Sequence, residues 1–88
     1  MLGCVFDCRR RESARVSSLS LGGIFIKTTD PPPAGTIIKL IFEVPSGDIL
    51  ARGSVAYVKP GKDMGVQFCG MDAEGRARLG RLLNHLLQ

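Results

Sequence analysis

Apolar stretches and turn signals alternate along the chain from residue 22 onward. Runs rich in β-branched and aromatic residues, such as GGIFIKTT, TIIKLIFEV and MGVQFCG, are separated by turn-forming stretches such as DPPPAG, PSGD and KPGKD. Three consecutive prolines cannot donate ladder hydrogen bonds, so DPPPAG is predicted to connect two strands. This alternation is typical of a small antiparallel sheet or barrel.

The predicted strands differ in how clearly they show a buried face. In TIIKLIFEV an all-apolar set of alternate residues is predicted to face the core: Ile38, Leu40, Phe42 and Val44. In MGVQFCG the same face is predicted for Met64, Val66 and Phe68. In ILARGSVAYV simple alternation places Tyr57 on the same face as Val55, and Gly53 is a candidate for a bulge or bend. The middle of the chain is therefore predicted to be a sheet with one apolar side.

The hydrophobic period changes after the sequence GMD. Leucines then recur at the spacing of an amphipathic helix, at Leu79, Leu82, Leu83, Leu86 and Leu87. Asp72 is the predicted N-cap of this helix, and Glu74 adds a favourable negative charge in its first turn. Gly75 and Gly80 each weaken the helix by up to about 1 kcal/mol relative to alanine. The helix is therefore expected to depend on docking against the sheet.

The length, charge and hydropathy of the sequence limit the classes of protein to which the chain can belong. A chain of 88 residues with 44% hydrophobic content forms one compact domain. The formal net charge is +4, and the basic residues cluster rather than forming a continuous stripe, with four arginines at Arg9, Arg10, Arg11 and Arg15. No apolar stretch approaches the roughly 20 residues needed to cross a bilayer, so no membrane insertion is expected.

The chain offers little for catalysis or metal binding. Cys4, Cys8 and Cys69 lack both the CxxC spacing and the histidine partners of a zinc site, so they are expected to be reduced thiols in a cytoplasmic protein. His85 is the sole histidine and is predicted near the helix end, where it is expected to be structural or solvent-facing. We therefore predict no enzyme activity, no catalytic residue and no metal or cofactor.

Binding of a phosphorylated, planar ligand is better supported. Arginine binds phosphate through its planar fork, pairs with the edge of guanine and stacks on bases, and Arg11 and Arg15 lie four residues apart. Downstream, Ser18 and Ser20 supply hydroxyl groups, and two adjacent glycines allow close approach of the backbone, Gly22 and Gly23. Taken separately, these features also fit a solvated basic tail and an ordinary turn.

Taken together, RESAR, SLSLGGIFI, the later strands and the leucine-rich helix resemble the PilZ domain family of bacterial cyclic di-GMP receptors. The resemblance implies a small antiparallel β-barrel with a C-terminal helix, and a ligand site that joins an RxxxR motif to a [D/N]xSxxG motif. Arg11 and Arg15 match the first motif, and Ser20 and Gly23 match the second. Ser18 stands where the second motif has Asp or Asn.

The small number of residues between the two motifs affects the expected fold. Only Val16 and Ser17 separate Arg15 from Ser18, whereas a strand needs about five residues. We therefore expect a mainly β, PilZ-like barrel of about five strands that is incomplete unless MLGCVFD or a partner chain closes it. An open edge would favour association. The expected divisions are a basic segment over 1–15, a barrel over 16–70 and a helix over 71–88.

The resemblance implies a cyclic di-GMP receptor or adaptor module, in which binding orders a flexible arginine segment against the barrel. The residues implied for the ligand site are Arg10, Arg11, Arg15, Ser18, Ser20, Gly22 and Gly23. The alternative is a degenerate member of the family that does not bind the nucleotide and acts through protein contacts or as a homo-oligomer. General nucleic-acid binding ranks below both, because few aromatic residues interleave with the arginines.

Overall fold

The computed structural model describes residues 3–7, 11–44 and 47–86, with no side-chain description for residues 85 and 86. The described residues form six strands and one helix. The strands are β1 (Gly3–Asp7), β2 (Arg11–Leu19), β3 (Gly23–Lys27), β4 (Ile37–Val44), β5 (Gly47–Lys59) and β6 (Asp63–Met71), and the helix is α1 (Ala73–Leu86). No helix among these residues is long and apolar enough to cross a membrane.

The strands form a closed antiparallel barrel in the order β1-β2-β3-β6-β5-β4. The predicted mainly β barrel with a C-terminal helix is confirmed, and it has six strands rather than about five. Of the alternatives for its closure, the one through MLGCVFD holds, because GCVFD supplies β1. This strand pairs with β2, where Phe6 lies opposite Glu12, and with β4, where Phe6 lies opposite Leu40. The barrel thus begins at Gly3 rather than at residue 16.

The core confirms the burial predicted from alternation. The predicted inward residues of β4 are all buried: Ile38, Leu40, Phe42 and Val44. Met64 and Val66 are buried on β6, and Phe68 packs at the edge of the core with its ring 6.3 Å from that of Phe42. Since β1 contributes Cys4 and Phe6 to the same core, burial of these two side chains explains why residues before the arginines join the barrel.

Two irregularities in the pairing of β5 with β6 redirect its side chains. The first lies between Arg52 and Gly53, where the sequence predicted a bulge. The second lies between Val55 and Tyr57, so that Val55 is 1% exposed and Tyr57 is 45% exposed. Simple alternation had placed these two residues on one face. That prediction was wrong because a register shift reverses the direction of every side chain beyond it.

Helix α1 begins where the sequence predicted. The Gly75 amide donates a hydrogen bond to Asp72 Oδ1 at 2.7 Å, which satisfies one of the free amides of the first turn. Leu79 is buried against the barrel, and Leu82 and Leu83 pack beside it. Arg78 donates a hydrogen bond to the backbone carbonyl of Asp48 at 2.7 Å, which ties α1 to β5.

Candidate functional site

The two motif arginines lie on the outward face of strand β2. Arg11 and Arg15 are both exposed, and four residues along a strand place their Cα atoms roughly 13 Å apart on one face. The segment expected to be a flexible tail is thus part of the barrel from Arg11 onward. Arg10 lies outside the described residues.

A bulge in β2 brings the serines onto the same outer face as Arg15. The register of β2 against β3 shifts between Val16 and Ser18, and both Ser17 and Ser18 are exposed. The hydroxyl of Ser17 donates a hydrogen bond to the carbonyl of Phe25 at 3.2 Å. Ser18 therefore lies on the outer face of the barrel, close to the end of β2.

Ser20 organises the turn between β2 and β3. Its Oγ accepts hydrogen bonds from the amides of Gly22 and Gly23 at 3.3 and 3.2 Å. Its own amide donates to the carbonyl of Gly23 at 2.9 Å. A serine hydroxyl that holds the next amides in this way fixes a tight turn. Ser20 therefore has a structural task whether or not a ligand is bound.

The two adjacent glycines meet different steric conditions. A Cβ atom on Gly23 would lie 2.5 Å from the backbone carbonyl oxygen of Val66, so only glycine allows β3 to approach β6 at this position. A Cβ atom on Gly22 would meet nothing within 4 Å. The packing of the barrel therefore explains Gly23 and leaves Gly22 without a structural requirement.

An open groove of about 410 Å³ runs beside this turn across the outer face of β3, β6 and β5. Its lining includes all four serine and glycine candidates, Ser18, Ser20, Gly22 and Gly23. Arg11 and Arg15 do not line it. Its volume lies within the range of small-molecule sites.

The barrel registers arrange the outward residues around the groove in rows across four strands. One row contains Ser18 on β2, Phe25 on β3, Gly65 on β6 and Tyr57 on β5. The rings of Phe25 and Tyr57 lie 6.2 Å apart in an edge-to-face arrangement, and each residue is 45% exposed. Gln67 is exposed in the next row, opposite Gly23.

The neighbouring row on the other side is cationic. It contains Arg15, Lys27, Asp63 and Lys59 in the same strand order. Its three basic residues are exposed, whereas Asp63 Oδ1 is buried and accepts no hydrogen bond from the described residues. Lys27 lies two residues from Phe25, or roughly 7 Å along the strand, so positive charge borders the groove at this end.

Comparisons with known proteins identify the family of the chain. The PilZ domain family matches residues 3–85 of the chain. The chain belongs to the PilZ domain family. A solved structure, that of the Bacillus subtilis inhibitor of motility MotI/DgrA, resembles this PilZ domain with a TM-score of 0.84 and 17% sequence identity. The match covers 98% of this chain and 47% of that one, so this PilZ domain spans about half the length of the Bacillus protein. No curated protein matches the sequence.

Sequence reasoning missed several residues of the groove in this PilZ domain. Phe25, Tyr57, Gly65 and Gln67 come from three different strands, and only the barrel register brings them together. The exposed position of Phe25 could have been found, because it alternates with the buried residues Ile24 and Ile26 in β3. The outward position of Tyr57 depends on a register shift that alternation does not show.

The other chemistry-bearing residues do not form a site in the described part of this PilZ domain. Cys4 is buried, and its burial raises the pKa of the thiol to about 11. Cys69 is exposed. Within residues 3–7, 11–44 and 47–86, no cluster of His, Cys, Asp and Glu side chains could hold a metal ion. The side chain of His85 lies outside the described residues.

Proposed function

We propose that this PilZ domain is a cytoplasmic receptor or adaptor module that binds cyclic di-GMP in the groove beside the turn between β2 and β3. One wall consists of Ser18, Ser20, Gly22 and Gly23, and the phosphates lie toward the arginines of β2. The observation that carries the proposal is that all four serine and glycine candidates line one groove. The exposed Arg15 lies in the next row of residues across the sheet. The proposed role is binding rather than catalysis.

The geometry separates the contributions of the arginines. Arg15 and Ser18 lie opposite Lys27 and Phe25, two residues apart on β3, so they are roughly 7 Å apart along the strand, which the long Arg15 side chain can span to reach a phosphate at the groove. Arg11 lies four residues beyond Arg15, or roughly 20 Å from Ser18, so it contributes mainly long-range attraction. Arg10 is proposed to support Arg11 in this attraction. Arg15 is therefore the principal phosphate ligand.

The proposed response to binding is a change in surface rather than a change in fold. Arg11 and Arg15 already lie in β2, so the ligand would draw arginine side chains from solvent across the groove. This movement changes the charge and shape offered to a protein partner.

Titration calorimetry with cyclic di-GMP tests the proposal. The wild-type protein is expected to bind with micromolar affinity, and Arg15→Ala is expected to lose at least about tenfold, equivalent to roughly 1.4 kcal/mol. Arg11→Ala is expected to lose less. Arg52→Ala is the matched control, because Arg52 is exposed on β5 and lines a different groove. No heat with wild type, or equal losses for Arg15→Ala and Arg52→Ala, would contradict this site.

A second candidate function is protein binding without the nucleotide. It is favoured by the occupied hydroxyl of Ser20 and by Leu21, which is 68% exposed at the tip of the same turn. Association through an open sheet edge loses its support, because the six described strands close into a barrel. A dimer in light scattering that cyclic di-GMP does not change, together with no heat of binding, would favour this candidate over the receptor.

A further inference from the structure

Two aromatic side chains flank a glycine in the middle of the groove. Phe25 on β3 and Tyr57 on β5 lie on either side of Gly65 on β6. A Cβ atom on Gly65 would lie 2.9 Å from Phe25 Cε1 and 3.4 Å from Tyr57 Cβ, so the absence of a side chain lets the Phe25 ring pack directly over the β6 backbone beside Tyr57. We name the surface formed by Phe25, Gly65 and Tyr57 the aromatic recess.

Covering the glycine accounts for only part of this arrangement. An aromatic ring laid across a strand glycine stabilises a sheet by shielding its backbone. Here both aromatic residues are 45% exposed to solvent, so apolar ring surface remains accessible. The same rings line the groove together with the serine and glycine wall. This exposed surface is available for a planar partner.

Gln67 gives the groove its means of recognising a base edge. Among the described residues that line the groove, it alone carries a carboxamide, which places a hydrogen-bond donor and an acceptor side by side in one plane. It lies opposite Gly23, which has no side chain to cover it, and it is exposed. A side-chain carbonyl can accept from N1–H and N2–H of guanine, while the amide donates to O6.

The distribution of charge orients such a ligand. No charged side chain among the described residues lines the groove, so the groove suits an uncharged base rather than a phosphate. Positive charge begins in the next row, at Lys27 and Arg15. A purine nucleotide therefore fits with its base at the aromatic recess and its phosphate over the cationic row.

We infer that the aromatic recess and Gln67 form the guanine-binding subsite of the groove, with Lys27 as an additional phosphate ligand. This inference deepens the proposed function and rests on it. The Tyr57 ring stacks on the base, and the Phe25 ring, which is nearly perpendicular to that of Tyr57, contacts the edge of the base. Gln67 distinguishes guanine from adenine by hydrogen bonds to its edge.

Binding measurements on substituted proteins test the stacking residues. Tyr57→Ala is expected to weaken cyclic di-GMP binding roughly tenfold, whereas Tyr57→Phe retains the affinity because stacking needs the ring and not the hydroxyl. Leu50→Ala is the control, since Leu50 is also on β5, is 58% exposed and lines a different groove. Wild-type binding with full affinity in Tyr57→Ala would overturn the subsite and leave the proposed function standing.

Base specificity tests Gln67. Wild type is expected to prefer cyclic di-GMP over cyclic di-AMP by at least about tenfold, and Gln67→Leu is expected to bring the two affinities close together. Gln67→Glu is expected to retain the preference, because its carboxylate still accepts from N1–H and N2–H of guanine. An unchanged preference in Gln67→Leu would overturn the assignment of Gln67.

A measurement on the unaltered protein covers the case in which a variant fails to fold. The chain contains one tyrosine and no tryptophan, so tyrosine ring signals in NMR spectra report on Tyr57 alone. Stacking of guanine is expected to shift these signals upfield in proportion to bound cyclic di-GMP. Binding in calorimetry with unmoved ring signals would overturn the recess alone. Failure of wild type to bind at all would overturn the inference together with the proposed function.

Discussion

Gly22 and Gly23 stand side by side in the turn, yet the barrel requires only one of them. Gly23 lies where β3 approaches the carbonyl of Val66 on β6. Gly22 has open space around its Cα and no requirement for a left-handed backbone, since the described positive φ angles lie at Gly35, Gly47 and Gly61. Space beside the backbone of Gly22 is what a closely approaching ligand would use.

Alanine substitutions separate the two roles. Gly23→Ala is expected to lower the free energy of unfolding by about 1–3 kcal/mol, because the new methyl group forces β3 away from β6. Gly22→Ala is expected to change it by less than about 0.5 kcal/mol while weakening cyclic di-GMP binding. Denaturant unfolding and calorimetry measure both effects. Equal destabilisation by the two substitutions would contradict the assigned roles.

The buried thiol of Cys4 gives the barrel a pH dependence. Burial raises its pKa from 9.0 to about 11, so the neutral thiol is favoured in the folded protein. An unfolded chain ionises this thiol first as the pH rises, and the contribution of Cys4 to stability is therefore full below pH 9 and falls away through pH 11.

The corresponding measurement is the free energy of unfolding between pH 8 and pH 11 under reducing conditions. Wild type is expected to lose stability more steeply over this range than Cys4→Val, in which the titrating group is absent and the volume is similar. All other titrating groups are common to both proteins. Parallel curves for the two proteins would show that Cys4 ionises equally easily in both states.

At the scale of elements, helix α1 is held by its N-cap and by one deeply buried leucine. Asp72 caps the first turn, and Leu79 is 1% exposed against the barrel. Two glycines reduce the intrinsic stability of the helix, so docking through Leu79 has to compensate.

Substitutions in α1 are expected to follow this order. Leu79→Ala should destabilise the protein by about 2–5 kcal/mol through a cavity beneath the helix, and Asp72→Ala by about 1 kcal/mol through loss of the cap. Arg81→Ala, on the exposed face, should lie within about 0.5 kcal/mol of wild type. Thermal unfolding measures all three. A cost for Arg81→Ala as large as that for Leu79→Ala would contradict the docking face.

The strands and the helix also show which structural features can be predicted from the local sequence. The buried face of β4 and the cap of α1 follow from alternation and from one side chain, so both were predicted and confirmed. Strand β1 was predicted only as one of several ways to close the barrel, because only Cys4 and Phe6 signal its buried face and its partners lie in β2 and β4. The aromatic recess was missed because its position depends on barrel registers and on a shift within β5.

At the scale of the whole molecule, β1 makes the barrel continuous. It lies between β2 and β4, so its backbone groups are paired on both sides and the described strands leave no open edge. Closure removes the sheet edge that would otherwise invite association. Closure also fixes the outer face of β2, on which Arg15 and Ser18 lie.

Hydrogen exchange tests closure within a single chain. The amides of residues 4–7 are expected to exchange more slowly than those of Asp30 and Ala34 in the connection between β3 and β4, and at the same rate at low and high protein concentration. Exchange of β1 as fast as this connection, or protection that appears only at high concentration, would show that the barrel is open in the monomer.

The central claim is that cyclic di-GMP occupies the groove beside the turn between β2 and β3. Amide chemical shifts recorded by NMR during a titration test it most directly, because they report binding and location together. The largest changes are predicted at Ser18, Gly22 and Gly23 and across the groove at Gly65 and Gln67, with residues 39–41 and 50–52 unmoved. Unchanged spectra, or changes centred on residues 39–41 and 50–52, would contradict the claim.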